Sequence, residues 1–234
     1  MGTRTEAARE QIHIGTEPVR SSSGTDNERW RRQLHLITSG SQSLYEVLAI
    51  VSAAARGGLD FLHIREKTRT AREISEWVRA IGEIFPLERI FLNDRVDVAA
   101  AWGVRGSHLA YHSLAVPLAR RVLSDSQLAG RSVHSMAEAE AAVAEGADYL
   151  IYGHLFVSNS KPGLSPRGTE ELARITAQVS VPVIAIGGIR PDNVDMALAA
   201  GCAGIAVLSG ITHAPDPEAA TRAYREALDK GGTA

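Results

Sequence analysis

A histidine and an arginine stand at the end of one short apolar run, where an anion or a polar ring would find hydrogen-bond donors. The run ends His63-Ile64-Arg65, and alternate residues of a strand point to the same face. We therefore predict that His63 and Arg65 both contact a substrate. The alternative for Arg65 is a buried ion pair with a carboxylate such as that of Asp94, because arginine is seldom buried without a partner.

A third candidate is the histidine that lies between a predicted strand and a predicted helix. In Gly130-Arg131-Ser132-Val133-His134-Ser135, Ser132 and His134 share the inward face of a regular strand. Ser135 and Glu138 have the spacing of a capping box that begins a helix. The positive end of that helix disfavours a charged imidazole, and a neutral imidazole is what a general base needs. We predict that His134 is the general base and that Ser132 contacts the substrate. The alternative is a histidine that only caps or packs.

Polar residues also follow the other apolar runs. Asn93 is predicted to contact the substrate, and Asp94 either does the same or caps the next helix. Lys161 lies in a long loop, 155–168, which is either a lid over an anionic ligand or a solvated surface loop.

Glycines follow the last two apolar runs, as Gly187-Gly188 and Ser209-Gly210. In parallel barrels the loops after the last two strands frequently bind phosphate through their backbone amides. These four residues are therefore predicted to hold a phosphate group.

The elements that carry these residues alternate regularly along the chain. Short β-branched runs are separated by stretches with helical periodicity, and strand–helix alternation repeated in this way is typical of a closed (β/α)₈ barrel, the TIM barrel. An open doubly wound sheet is the alternative, but the first strand lacks its glycine-rich turn. The predicted strands are Leu34–Thr38, Phe61–Arg65, Arg89–Asn93, Gly106–Ala110, Ala129–His134, Tyr149–Gly153, Pro182–Gly187 and Gly204–Ser209.

Composition separates a polar N-terminal segment from the rest of the chain. Residues 1–32 have hardly any apolar periodicity and are predicted to be a flexible tail, whereas residues 33–234 are predicted to form one barrel domain.

The net charge of −2 gives no indication of nucleic acid as a partner, and no apolar run is long enough to span a membrane. A single cysteine, Cys202, is consistent with a cytoplasmic location. No metal-ligand motif is visible, and the sequence leaves open whether the protein forms a homo-oligomer.

From Leu34 to Ile211 the sequence resembles the superfamily of thiamine phosphate synthase and the thiazole tautomerase TenI. The stretches that carry the resemblance are His63-Ile64-Arg65-Glu66-Lys67, Asn93-Asp94-Arg95, Gly130-Arg131-Ser132-Val133-His134-Ser135, Ala147-Asp148-Tyr149, Ala185-Ile186-Gly187-Gly188-Ile189 and Ala206-Val207-Leu208-Ser209-Gly210. The synthase branch uses Mg²⁺ held by two aspartates, and here Asp94 remains while Ser113 stands in the place of the second.

The resemblance is greater to the tautomerase branch, which has His-Ile-Arg-Glu at the second strand and Gly-Arg-Ser-Val-His-Ser at the fifth. It implies that His134 transfers protons on a carboxylated thiazole phosphate and that no cofactor is needed. Two alternatives stay open. One is a thiamine phosphate synthase with an altered Mg²⁺ site, and the other is a barrel without catalytic activity that binds a metabolite of the thiamin pathway and regulates a partner.

Overall fold

The computed structural model describes residues 32–157, 163 and 165–231 of the 234-residue chain. Apart from Arg32, the predicted tail 1–32 lies outside the described residues, and so does Lys161. No helix among the described residues has both the length and the apolar character that a membrane crossing requires.

Eight parallel strands close into one barrel in sequence order, which confirms the predicted fold. Every boundary lies within two residues of its predicted position, because each strand coincides with an apolar run of the sequence. The strands are β1 Gln33–Ile37, β2 Phe61–Ile64, β3 Ile90–Asn93, β4 Gly106–Leu109, β5 Leu128–Val133, β6 Tyr149–Gly153, β7 Val183–Ile186 and β8 Gly204–Val207.

Helices follow the strands and cover the outside of the barrel. They are α1 Leu44–Arg56, α2 Ala71–Gly82, α3 Val96–Trp102, α4 Val116–Arg120, α5 Met136–Ala144, α6 Thr169–Gln178, α7 Val194–Ala199, α8 Ser209–Thr212 and α9 Pro217–Lys230. Single 3₁₀ turns lie at Leu87–Arg89 and Pro191–Asn193. The capping boxes that begin α1 and α2 are present, and Asp216 caps α9 through the amide of Ala219.

The strands separate two kinds of packing. Outward residues such as Leu62, Leu92 and Leu150 are fully buried against the helices, and each such side chain contributes roughly 1.5–3 kcal/mol to the free energy of unfolding. Inward residues are more polar and aromatic, and the barrel axis contains Phe91 and Tyr149, whose ring centroids are 5.1 Å apart.

Asp94 does not cap α3, contrary to one of the two predictions for it. Helix α3 begins at Val96 after Arg95, and it has no side-chain cap. The backbone of Asp94 is left-handed, with φ of 65°, and its carboxylate accepts a hydrogen bond from the Ser113 hydroxyl. The residue thus turns toward the connection after β4 instead of toward the helix that follows it.

Candidate active site

Three buried histidines lie inside the barrel and form hydrogen bonds with neighbouring polar groups. His35 and His63 face each other with 2.9 Å between Nδ1 and Nε2, and the other nitrogen of His35 lies 3.1 Å from the amide oxygen of Gln33. His108 on β4 lies 3.3 Å from the hydroxyl of Tyr149 through Nδ1. His108 is not among the predicted site residues, although the two-residue alternation of β4 points its side chain inward.

Burial keeps these histidines uncharged. Desolvation, and secondarily the neighbouring histidine, holds the pKa of His35 and that of His63 well below the ordinary value. Desolvation lowers the pKa of His108 to about 3. The interior therefore presents neutral donors and acceptors to whatever occupies the barrel mouth.

The structure brings His63 and Ser132, two of the predicted binding residues, to this network. The Ser132 hydroxyl lies 2.8 Å from Nε2 of His108, and the ring of His63 stands edge-on to that of His108 with centroids 5.6 Å apart. Nδ1 of His63 and Oδ1 of Asn93 are buried and form no hydrogen bond of ordinary geometry in the described part of the chain, although the Asn93 side chain acts on the His63 imidazole and raises its pKa. Buried polar atoms are seldom left without a well-formed hydrogen bond, and a polar ligand is one way to satisfy both, besides a closer contact between them.

Arg65 follows β2 at the rim of the barrel, by which we mean the C-terminal ends of the strands and the loops that follow. Its backbone amide donates to Thr38 at 2.9 Å, and the structure gives its guanidinium no carboxylate partner among the residues it describes. The alternative of an ion pair between Arg65 and Asp94 is wrong, because the Asp94 carboxylate binds Ser113. A half-buried guanidinium without a counter-ion suits an anionic ligand.

His134 stands at the rim directly after β5, and 35% of its side-chain surface is exposed. Its Nδ1 lies 3.1 Å from a carboxylate oxygen of Glu138, and its carbonyl accepts a hydrogen bond of 2.6 Å from Arg167. The contact with Glu138 was missed in the sequence, although the spacing of four residues was visible. In the described part of the chain His134 makes no hydrogen bond to His63, Asn93 or Ser132.

Gly187 and Gly188 stand at the end of β7 with φ of 100° and 66°. A Cβ atom at Gly187 would overlap His154, and one at Gly188 would overlap the carbonyl of Val157. Packing against the connection after β6 is thus sufficient reason for both glycines. Their predicted contact with phosphate remains a prediction.

Ser209 and Gly210 begin the short helix α8 after β8. The first hydrogen bonds of this turn run from Ile211 and Thr212 to the carbonyl of Leu208. The amides of Ser209 and Gly210 therefore precede the first intrahelical bond, as amides that bind anions commonly do.

The described residues contain no group of three or more side chains suited to hold a metal ion. Asp94 is one carboxylate beside a serine, and its Oδ1 atom already accepts hydrogen bonds from the Ser113 hydroxyl and, at 3.4 Å, from the amide of Ala110. Mg²⁺ prefers several oxygen ligands, with one or two carboxylates besides substrate phosphates. These residues do not fit the Mg²⁺ site that the resemblance assigns to the synthase branch.

Comparison with known proteins places the chain in a family. A family model described as thiamine monophosphate synthase matches residues 34–211. A putative thiamine-phosphate synthase of Geobacter sulfurreducens is 39% identical over 194 residues, which cover 81% of this chain and 91% of that protein. A thiamine-phosphate synthase of Haloquadratum walsbyi is 40% identical over 208 residues, which cover 84% and 91%.

A solved structure agrees with this result. Thiamine phosphate pyrophosphorylase from Pyrococcus furiosus superposes with a TM-score of 0.76 at 31% identity, over 88% of this chain and 99% of that one. The barrel of 3-hexulose-6-phosphate synthase also superposes, with a TM-score of 0.65 at 18% identity over 83% of this chain and 99% of that one, and shows the fold alone. The chain belongs to the thiamine monophosphate synthase/TenI family, a family of thiamine biosynthesis.

Proposed function

We propose that the protein is a thiazole tautomerase, which converts the exocyclic tautomer of a carboxythiazole phosphate into the aromatic ring. The observation that carries the proposal is the state of His134. One ring nitrogen faces a carboxylate, and the other makes no hydrogen bond within the described part of the chain. A histidine held in this way at a barrel rim is suited to accept and return a proton.

The reaction needs only that a proton be moved. Nε2 of His134 accepts the proton from C2 of the thiazole, and the electron pair of that bond enters the ring. The exocyclic double bond then takes a proton at its outer carbon, either from the imidazolium or from water. The product is an isomer of the substrate, so nothing is oxidised or transferred and the reaction requires no cofactor. Aromatisation makes the step downhill, and a positioned base supplies about 10²–10⁴-fold in rate.

The other predicted residues have separate roles in this proposal. Arg65 binds the carboxylate of the substrate and stabilises negative charge as it develops. His63, Asn93 and Ser132 line the inner side of the ring, where Nδ1 of His63 and Oδ1 of Asn93 form no hydrogen bond of ordinary geometry with the residues that the structure describes.

The phosphate binds to backbone amides around Gly187, Gly188, Ser209 and Gly210. Lys161, which lies outside the described residues, is proposed to close over the anionic ligand.

Thiamine-phosphate synthase is the second candidate, because the relatives that are 39–40% identical carry that name. That reaction joins a pyrimidine pyrophosphate to a thiazole phosphate with Mg²⁺. The pairing of Asp94 with Ser113 favours the tautomerase, because one carboxylate that is already hydrogen-bonded is poor provision for a metal on a pyrophosphate.

The test compares both reactions on the purified full chain. We expect the wild type to aromatise the exocyclic tautomer, followed by ultraviolet absorbance or proton exchange at C2. A His134→Asn variant is expected to lose at least ~10²-fold in turnover while it still binds the product, as removal of a general base should.

The matched control is His112→Asn, at an exposed histidine on the connection after β4; its turnover should equal that of the wild type. Equal turnover of the His134→Asn variant would refute the assignment of the base. Formation of thiamin phosphate that depends on Mg²⁺ would replace the proposal with the synthase, and tight binding of thiazole phosphate without turnover would replace it with a metabolite-binding protein.

A further inference from the structure

The carboxylate of Glu138 contacts the residue before the helix cap as well as supporting its own helix. Glu138 is the third residue of α5, and its backbone amide donates to the Ser135 hydroxyl at 3.3 Å. Its Oε2 atom accepts from the amide of His134 at 2.8 Å and lies 3.1 Å from Nδ1 of the same residue. One carboxylate oxygen therefore restrains both the backbone and the ring of His134.

Helices α1 and α2 also begin with a serine or threonine followed three residues later by a glutamate, but there the glutamate contacts a different residue. In α1, Oε2 of Glu46 accepts from the amide and the hydroxyl of Ser43, each at 2.7 Å. In α2, Glu73 binds Thr70 in the same way at 2.7 and 2.8 Å. These two glutamates complete a capping box with the cap residue itself.

The glutamate of α5 reaches one residue further back. It binds His134, whereas the prediction from the Ser135–Glu138 spacing was a complete capping box. That prediction is wrong in its second half, since only the serine contributes a capping bond. A histidine directly before the cap offers a ring nitrogen that the residues before the other two caps, Gln42 and Arg69, do not provide in this position.

The contact decides which ring nitrogen carries the proton. An ionised carboxylate only accepts hydrogen bonds, so Nδ1 of a neutral imidazole must be its donor. Nε2 then has the lone pair, which is the form that a base at this position requires. We infer that Glu138 is a positioning residue, which holds His134 in the tautomer whose Nε2 accepts a proton. The part of this inference that concerns turnover rests on the proposed function, whereas the part that concerns the tautomer does not.

The other charged groups near His134 that the structure describes form no hydrogen bond with its ring. Arg167, from the connection between β6 and α6, donates to the His134 carbonyl. Glu171 of α6 accepts from the amide of Met136 at 3.3 Å and from the Tyr152 hydroxyl at 3.0 Å. Within the described residues, Glu138 is thus the charged side chain that can select the tautomer.

The first measurement is spectroscopic and independent of any substrate. Two-bond ¹H–¹⁵N correlation spectra of the full chain, at a pH at which the ring is neutral, report which nitrogen of His134 is protonated. We expect the wild type to show the Nδ1–H form and Glu138→Ala to shift toward the Nε2–H form. Glu138→Gln should keep much of the wild-type signature, because its amide oxygen still accepts from Nδ1.

The control is Glu46→Ala, which removes the equivalent side chain from the cap of α1. Both alanine variants should lose a similar, small amount of stability, but only Glu138→Ala should change the tautomer. In the tautomerase assay we expect Glu138→Ala to lower kcat about tenfold with KM within about twofold of the wild type, and Glu46→Ala to leave both unchanged.

The outcomes separate the two proposals. An unchanged tautomer in Glu138→Ala overturns the inference whatever the turnover, and a changed tautomer with unchanged kcat overturns the positioning role. A changed tautomer in a chain without tautomerase activity supports the assignment of Glu138 to the ring and refutes the proposed function alone.

Discussion

The arginines at the floor of the barrel, where the strands begin, are paired with carboxylates, whereas Arg65 at the rim has no such partner among the described residues. At the floor, Arg225 lies 2.9 Å from Asp60 and 2.7 Å from Asp229, and Arg89 lies 3.9 Å from Asp60. A paired charge is largely neutralised and stabilises the fold at most modestly. The floor also has a cavity of about 500 Å³ lined by these residues, but its arginines are already engaged, and Arg65 at the rim is better placed to bind an anion.

The histidines show the same contrast between the interior and the rim. His35, His63 and His108 are at most 2% exposed and form hydrogen bonds within the barrel. His134 at the rim is partly open to solvent and can exchange a proton with water or a ligand. The difference teaches that residue type alone does not identify the chemical group. Burial holds three histidines neutral, whereas the fourth is open to solvent and to a ligand.

The largest expected effect is a decrease in the free energy of unfolding when the pH is lowered. Burial lowers the pKa of the three interior histidines well below the ordinary value of an imidazole, so the folded protein keeps them neutral. The unfolded chain binds protons at these histidines below about pH 6.5, and the free energy of unfolding therefore falls as the pH falls. Above about pH 6.5 the three histidines take up no protons on unfolding, so their contribution to the free energy of unfolding is fully present. Toward acid the free energy of unfolding decreases by up to about 4 kcal/mol per pH unit, because unfolding then takes up three protons. Urea denaturation between pH 7 and 5 measures this slope.

Two variants show which histidines cause the slope. His35→Phe removes one interior histidine, whose ring lies 5.0 Å from that of Phe61 and 6.3 Å from that of Phe91. It should reduce the slope by about a third whatever its effect at pH 7. His112→Asn, at an exposed site, should leave the slope unchanged. An identical slope in both variants would mean that the interior histidines are not the cause.

Substitutions of glycine at the rim and at the floor of the barrel should have the next largest effect on the free energy of unfolding. Gly188 at the rim has φ of 66° and Gly103 at the floor has φ of 60°, and both backbones disfavour alanine by about 1–2 kcal/mol. A Cβ at Gly188 would also overlap the carbonyl of Val157, whereas one at Gly103 would meet nothing within 4 Å. We expect Gly188→Ala to cost about 2–4 kcal/mol in unfolding free energy and Gly103→Ala about half as much.

Ligand binding distinguishes these two glycine variants further. Calorimetric titration with the phosphorylated product should show weaker binding to Gly188→Ala and wild-type affinity for Gly103→Ala. Equal losses of affinity would contradict the assignment of the phosphate to the loop after β7.

Substitutions of arginine should have the smallest effect. They directly test the difference between the paired arginines at the floor and Arg65 at the rim. Arg65→Ala should weaken binding of the carboxylated thiazole phosphate about tenfold, or about 1.4 kcal/mol, without a change in melting temperature. It should affect the analogue without the carboxylate much less. Arg225→Ala should lower the melting temperature and leave both affinities unchanged. An equal loss of affinity for the two ligands would contradict the proposed contact between Arg65 and the carboxylate of the substrate.

Periodicity in the sequence was sufficient to predict the barrel, because every strand is a run that is buried on both faces. The capping boxes of α1 and α2 also follow from local sequence, since the partners are three residues apart and need no tertiary contact. Strand alternation also predicted correctly that the side chain of Ser132 points into the barrel.

Contacts between distant elements were not predictable in this way. The pairing of Asp94 with Ser113 joins the ends of β3 and β4, and a cap on α3 fitted the local sequence equally well. The predicted partner of Glu138 was wrong for a subtler reason, because two backbone N–H donors, at His134 and at Ser135, lie within reach of one carboxylate. Local spacing cannot choose between them.

The sequence by itself determined the eight strands, the helix starts and which residues stand at the rim, because these follow from local periodicity and from side chains close together in the chain. Only the tertiary structure decided which of these residues are neutral, paired or available. Hydrogen bonding and desolvation depend on neighbours that come from other strands, and those neighbours are set when the barrel closes.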